Sequence, residues 1–134
     1  PFFCMEDILN DIDADIYLVD LHAETTSEKI AFTYQFAGRV QAVVGTHTHV
    51  QTADERLVYG TAAITDLGMC GAYTSVLGRD VQEILTRFTT NEKTKFKIAD
   101  GPGILCGAVV RIDETARKAI HIERIQIRPE QAEC

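Results

Sequence analysis

Two short apolar runs, Ile16-Tyr17-Leu18-Val19-Asp20-Leu21 and Val40 to Val44, bracket a segment that opens like a helix and closes at a glycine. Each run has the length of a strand, and hydrophobicity that is continuous rather than alternating suits strands buried on both faces. Between them, Thr25 and Glu28 have the spacing of a capping box, in which each side chain satisfies an orphan amide of the first turn. The helix that follows is expected to pass through Phe32 and Phe36 and stop at Gly38, where glycine takes the left-handed cap. Ahead of the first run, Phe2, Phe3, Met5, Ile8, Leu9 and Ile12 recur at close to helical spacing, which predicts a short amphipathic helix ending near Asp13. Helix, strand, helix, strand with short connections is the order of an α/β unit.

The second half of the chain has a different character. Ala62-Ala63-Ile64-Thr65 reads as a short strand, followed by a glycine-bearing loop from Asp66 to Gly78. Asp80 and Glu83 repeat the capping-box spacing ahead of a helix through Leu85 and Phe88. Strands are expected over Lys95–Ala99, Ile104–Ile112 and Ala119–Ile127, with a break in alternation at Glu123-Arg124 that suggests a bulge. Gly101-Pro102-Gly103 and Asp113-Glu114 fall where hairpin turns belong. An α/β front and a β-rich back fit sheets stacked as a sandwich and covered by helices.

Length and charge narrow the function classes. A chain of 134 residues is one domain at most, here 1–134. Its 46% hydrophobic and 25% charged residues are ordinary for a soluble globular chain. No apolar stretch is long enough for a membrane helix, and Pro1 to Asp15 lack the basic and apolar regions of a secretory signal. A net charge of −7 repels phosphate backbones, which argues against nucleic-acid wrapping. A small phosphorylated ligand is still allowed if a metal supplies positive charge. Cys4, Cys70, Cys106 and Cys134 form no metal or disulfide pattern. They read as unpaired, mostly buried thiols of a cytoplasmic protein. The oligomeric state is left open, a homo-oligomer included.

Three of the four histidines stand at the carboxyl ends of predicted buried strands, where open α/β sheets bind ligands. His22 lies within Asp20-Leu21-His22-Ala23-Glu24; His47 and His49 lie within Gly45-Thr46-His47-Thr48-His49. Two residues apart on extended backbone, the rings of His47 and His49 would point to one side, and Gly45 would let the chain turn tightly before them. Neutral imidazoles so placed can bind one divalent ion or two adjacent ones. Taken alone, His22 reads more simply as a hydrogen-bonded structural group. Asp20 and Glu24 fit the role of outer partners that fix an imidazole tautomer; for Glu24, a favourable charge at a helix N-terminus is an equal alternative. His121, beside Glu123 on an alternating strand, reads as solvated and without a role. Thr46 and Thr48 either orient ligands or simply fill the loop, and filling is the simpler reading.

Three blocks carry a resemblance: Asp20-Leu21-His22-Ala23-Glu24-Thr25-Thr26-Ser27-Glu28-Lys29, Gly45-Thr46-His47-Thr48-His49-Val50-Gln51-Thr52-Ala53-Asp54, and Thr65-Asp66-Leu67-Gly68-Met69. Together they resemble the bacterial calcineurin-like metallophosphoesterases described as 2′,3′-cyclic-nucleotide 2′-phosphodiesterases, from about Pro1 through the strand at 120–127. The resemblance implies a four-layer α/β/β/α sandwich around two divalent ions (iron, manganese or zinc). His22 and His47 would ligate one ion and His49 the other. The implied reaction is hydrolysis of cyclic nucleotides or similar small phosphate esters by a water at the metal centre. Two ions suit it because they clamp a phosphodiester and neutralise the charge that builds on its oxygens.

The family pattern also includes an early Asp, a bridging acidic residue, and an Asn followed by a catalytic His. No Gly-Asn-His or Gly-Asp block stands in this sequence, and Pro1 corresponds to mid-domain. The chain therefore reads as the C-terminal half of one metallophosphoesterase domain, with its catalytic residue in the other half, and as inactive or nearly so by itself. The alternatives are a non-catalytic metal-binding or regulatory module and a plain interaction domain.

Overall fold

In chain order, the described residues, 1–90 and 92–129 of a computed structural model, form ten elements. Helix α1 (Phe2–Asp11) is followed by strand β1 (Leu18–His22), helix α2 (Thr26–Phe36) and strand β2 (Ala42–Thr46). Strands β3 (Arg56–Val58), β4 (Thr61–Ile64) and β5 (Gly71–Ala72), helix α3 (Val81–Thr90), and strands β6 (Gly103–Asp113) and β7 (Lys118–Ile127) complete the order. One sheet runs β1-β2-β4-β3, its first three strands parallel and β3 antiparallel; the other is the antiparallel set β5-β6-β7.

Alternation along β2 decides the layering, because successive strand side chains point to opposite faces. Val43 packs with Met5, Leu21, Phe32, Phe36 and Val40, so α1 and α2 cover one face of the first sheet. Ala42 joins Ala62, Ile64, Ala119 and Ile122, with Val44, Ala108 and Val110 packed against them, so the second sheet covers the other face. Phe32 and Phe36 are essentially fully buried, worth roughly 1.5–3 kcal/mol per ring, and Phe2 meets Phe32 edge to face with centroids 5.4 Å apart. The result is a mixed α/β fold of helices laid on stacked sheets, as the helix–strand pattern implies. No described helix is long and apolar enough to cross a membrane.

Several local expectations are corrected. β1 is not buried on both faces: it is the outer strand of its sheet, Leu18 is 68% exposed and only Leu21 is buried. Lys95–Ala99 is not a strand, because only Ile98 bridges to a neighbour, Arg79; Phe96 instead lies beneath the Arg79 guanidinium at 4.7 Å. The irregularity in the β6–β7 ladder falls between Arg111 and Ile112, opposite Ile120, while Glu123 and Arg124 pair in register. Thr25 is the N-cap of α2 but makes no capping hydrogen bond; its hydroxyl lies 3.5 Å from the Glu28 carboxylate. Asp80 does cap α3, accepting from the Glu83 amide at 3.0 Å. Cys4 and Cys70 are exposed and Cys106 partly so, each a free thiol at the surface rather than in the core. Cys134 lies outside the described residues.

Candidate metal centre and adjoining pocket

Register brings the first two histidines together. His22 pairs with Thr46 across β1 and β2, so both stand at the tip of adjacent parallel strands. Asp20, two residues before His22, shares its face. The Thr46 hydroxyl donates to Asp20 Oδ1 at 2.8 Å, and its single proton is thereby used. Thr46 Oγ1, 3.0 Å from His22 Nδ1, must therefore accept from that nitrogen. His22 thus donates from Nδ1, and its Nε2 faces His47.

His47 is fixed from the other side. Its Nε2 pairs with Glu24 Oε2, and a carboxylate only accepts, so Nε2 carries a proton. The remaining nitrogens, His22 Nε2 and His47 Nδ1, face each other at 2.9 Å, with ring planes nearly perpendicular. That is hydrogen-bond range, so one ring donates to the other as they stand. Were the shared proton displaced, both nitrogens would be of the type that binds divalent zinc, iron or manganese.

His49 is not brought onto this pair. Its Nδ1 lies 3.1 Å from the Leu77 carbonyl, which accepts and so leaves Nε2 bare. The extended backbone expected for His47-Thr48-His49 is not found: φ is 119° at His47 and 66° at His49. Asp66 explains the departure, since its Oδ2 takes the Thr48 amide at 2.9 Å and folds the segment inward. Gly45 also has a different role from the expected turn. It lies within β2, where a Cβ would come within 1.8 Å of the Thr65 carbonyl oxygen, so no larger residue fits. His121 meets only Glu123, at 3.2 Å, on exposed β7. Among the described residues, no three His, Cys, Asp or Glu side chains are gathered to hold a metal ion. His22 and His47 face each other at the strand tips, and His49 bonds instead to the Leu77 carbonyl.

Asp66 and Lys29 are the residues that sequence reasoning missed. They form a buried ion pair at 3.2 Å with side chains 1% and 3% exposed. Burial opposes the Asp66 charge, but the Thr48 and Gly68 amides, the Thr48 hydroxyl and Lys29 outweigh it and hold the carboxyl below its usual range. The Thr-Asp-Leu-Gly order does carry one signal, an Asp that accepts the amide two residues on: Gly68 N donates to Asp66 Oδ1 at 2.9 Å. Lys29 gives no signal, since a helical lysine ordinarily reads as solvated.

A cavity of about 330 Å³ opens beside His49. Part of its lining comes from the loop between Asp66 and Gly78, through Met69, Tyr73, Ser75 and Leu77. Gln51, Gln126 and Arg128 line it as well.

The chain matches the model of the YmdB-like protein family over residues 1–125. It is 53% identical over 110 residues to the 2′,3′-cyclic-nucleotide 2′-phosphodiesterase of Bacillus subtilis (strain 168), a match covering 81% of this chain and 42% of that protein. Among solved structures, a phosphatase of Mycoplasma pneumoniae superposes with a TM-score of 0.90 at 38% identity, over 96% of this chain and 46% of that one. A hypothetical protein of Thermus thermophilus gives 0.88 at 37% identity, over 96% of this chain and 50% of that one. The chain thus spans about half the length, or less, of the relatives it matches. Histidine-bearing strand tips, the surrounding fold and the similarity over 125 residues agree: the chain belongs to the YmdB-like protein family.

Proposed function

We propose that the complete protein is a metal-dependent phosphodiesterase that hydrolyses cyclic nucleotides or similar small phosphate esters. The observation that carries this reading is the pair of imidazole nitrogens, His22 Nε2 and His47 Nδ1, brought within 2.9 Å of each other at adjacent strand tips. His22 and His47 would hold one divalent ion, and His49 a second; iron, manganese and zinc all suit imidazole. Such ions supply Lewis-acid polarisation and charge neutralisation for the phosphodiester. The chain's own residues orient the ligands: Asp20 acts on His22 through Thr46, Glu24 fixes His47, and the Leu77 carbonyl fixes His49. In a protein of formal charge −7, cations at this point would turn a repulsive surface into an anion-binding one.

The reading of this chain as the C-terminal half of a four-layer α/β/β/α sandwich is supported by the open outer edge of β1. A groove of about 430 Å³ beside that edge, lined by Leu18, Val44, Val110 and Ile112 among others, is consistent with it. The remaining ligands and the catalytic acid would then lie in the other half. A second reading is a non-catalytic metal-binding or regulatory module that uses the same facing histidines.

The test is made on the complete protein, by metal analysis and by hydrolysis of a 2′,3′-cyclic nucleotide. Wild type should carry tightly bound divalent metal and turn over the substrate. His47→Ala should lose metal and at least a hundredfold in turnover. Retained metal with no turnover of any phosphodiester would favour the regulatory module, and unchanged turnover in His47→Ala would refute the ligand assignment.

A further inference from the structure

We propose that the cavity beside His49 is the subsite for the nucleoside portion of the substrate, with Tyr73 as the surface on which the base lies; this rests on the phosphodiesterase reading above. Position is the first argument. His49 is both a candidate ligand and a wall of the cavity, so an ester whose phosphate reached the ions would extend its substituent past this ring. Volume is the second: about 330 Å³ stands at the small end of the range of small-molecule sites.

Wall chemistry selects the class of substituent. Tyr73 is 37% exposed and presents an aromatic ring, and Leu77 adds apolar surface. Polar groups line the same cavity. Gln51 is locked in place by donating to the Gly107 and Ile125 carbonyls at 2.9 and 3.0 Å. Gln126 donates to Gln51 Oε1 at 3.3 Å and accepts from Arg128 Nε at 2.6 Å. A guanidinium and amides that share a cavity with an aromatic ring match a flat heterocycle with polar groups on its edge. A second phosphate would meet one arginine on a chain of net charge −7.

The loop that carries Tyr73 is fixed rather than free. Ser75 Oγ donates to the Ala72 carbonyl at 2.6 Å and accepts the Gly78 amide at 3.0 Å, and Leu77 presents its carbonyl to His49. The same loop thus aims a ligand nitrogen and builds the wall of the cavity.

The experiment compares two substrates with the same five-membered cyclic phosphate, a nucleoside 2′,3′-cyclic phosphate and glycerol 1,2-cyclic phosphate, which has no base. In the complete metal-loaded protein, Tyr73→Ala should raise KM for the nucleotide roughly tenfold to a hundredfold with kcat little changed. Kinetics on the glycerol ester should be unaltered, and Tyr73→Phe should retain the wild-type KM. Equal losses on both substrates, or no loss on either, would overturn the subsite. If wild type hydrolyses neither ester, the phosphodiesterase reading falls, and binding of free nucleoside to the metal-stripped protein decides the subsite separately. Saturable binding that Tyr73→Ala abolishes would uphold it; no binding would reject it.

Discussion

Thr46 has one hydroxyl proton and spends it on Asp20, which obliges His22 to donate from Nδ1 and expose Nε2. The consequence is specific to the oxygen. Thr46→Val, nearly the same shape, should weaken metal binding by the complete protein about 10- to 100-fold, as loss of an outer partner does at other metal sites. Thr46→Ser should restore it. Competition against a chromophoric chelator measures both, and equal affinity in the valine variant would show that the tautomer is set by something else. The histidines and their acidic neighbours were readable from sequence because they cluster at strand ends, where α/β sheets place ligands. For Thr46 the preference for loop filling was wrong and the orienting alternative right: the choice depends on the His22–Thr46 register, and pairing between distant segments leaves no local trace.

The elements around the site are tied together by one buried carboxylate. Asp66, just beyond β4, accepts from the Thr48 amide after β2, from the Gly68 amide in the following loop, and from Lys29 on α2. Asp66→Asn would leave the Lys29 ammonium buried without a counter-charge, a loss of about 3–5 kcal/mol. A drop in the urea midpoint is the expected outcome, and adding Lys29→Met should recover much of it, since an apolar replacement removes the stranded charge. A single variant as stable as wild type would mean that the pair is solvated in solution. Elements with a strong period were legible: α1, α2, β2, β4, β6 and β7 all stand within a few residues of their expected places. β3 and β5 were not, because strands of three and two residues carry too little pattern to separate from loop. Lys95–Ala99 failed for the opposite reason. It alternates well, yet alternation describes only which side of the backbone each residue takes, and a strand also needs a neighbour to pair with.

Across the whole molecule, carboxylates held below their ordinary range give stability a direction in pH. Asp80 and Glu83 are lowered chiefly by hydrogen bonds from Lys97 and from Thr94, respectively; Glu6 and Glu55 are lowered chiefly by hydrogen bonds from Arg39 and Arg124. Asp54, like Asp66, is opposed by burial and lowered by hydrogen bonds, here from the Thr52 hydroxyl and the Thr65 amide. A carboxyl that titrates lower when folded binds fewer protons than its unfolded counterpart. Its contribution is complete above the unfolded value and is lost as pH falls through the folded one. Stability should therefore hold from neutral pH to just above the usual carboxylate range, then decline as acid protonates these groups. Salt separates the two kinds of contribution. The Glu6–Arg39 and Asp80–Lys97 pairs reach solvent, where about 1 M NaCl shortens the screening length to roughly 3 Å and suppresses what little they add. Asp66, 1% exposed, is shielded from that screening. Urea midpoints measured from pH 7 to pH 3 should thus keep their acid decline in 1 M NaCl, and should lose much of it in Asp66→Asn/Lys29→Met. If salt alone flattened the profile, the surface pairs rather than the buried carboxylate would set the acid sensitivity of the fold.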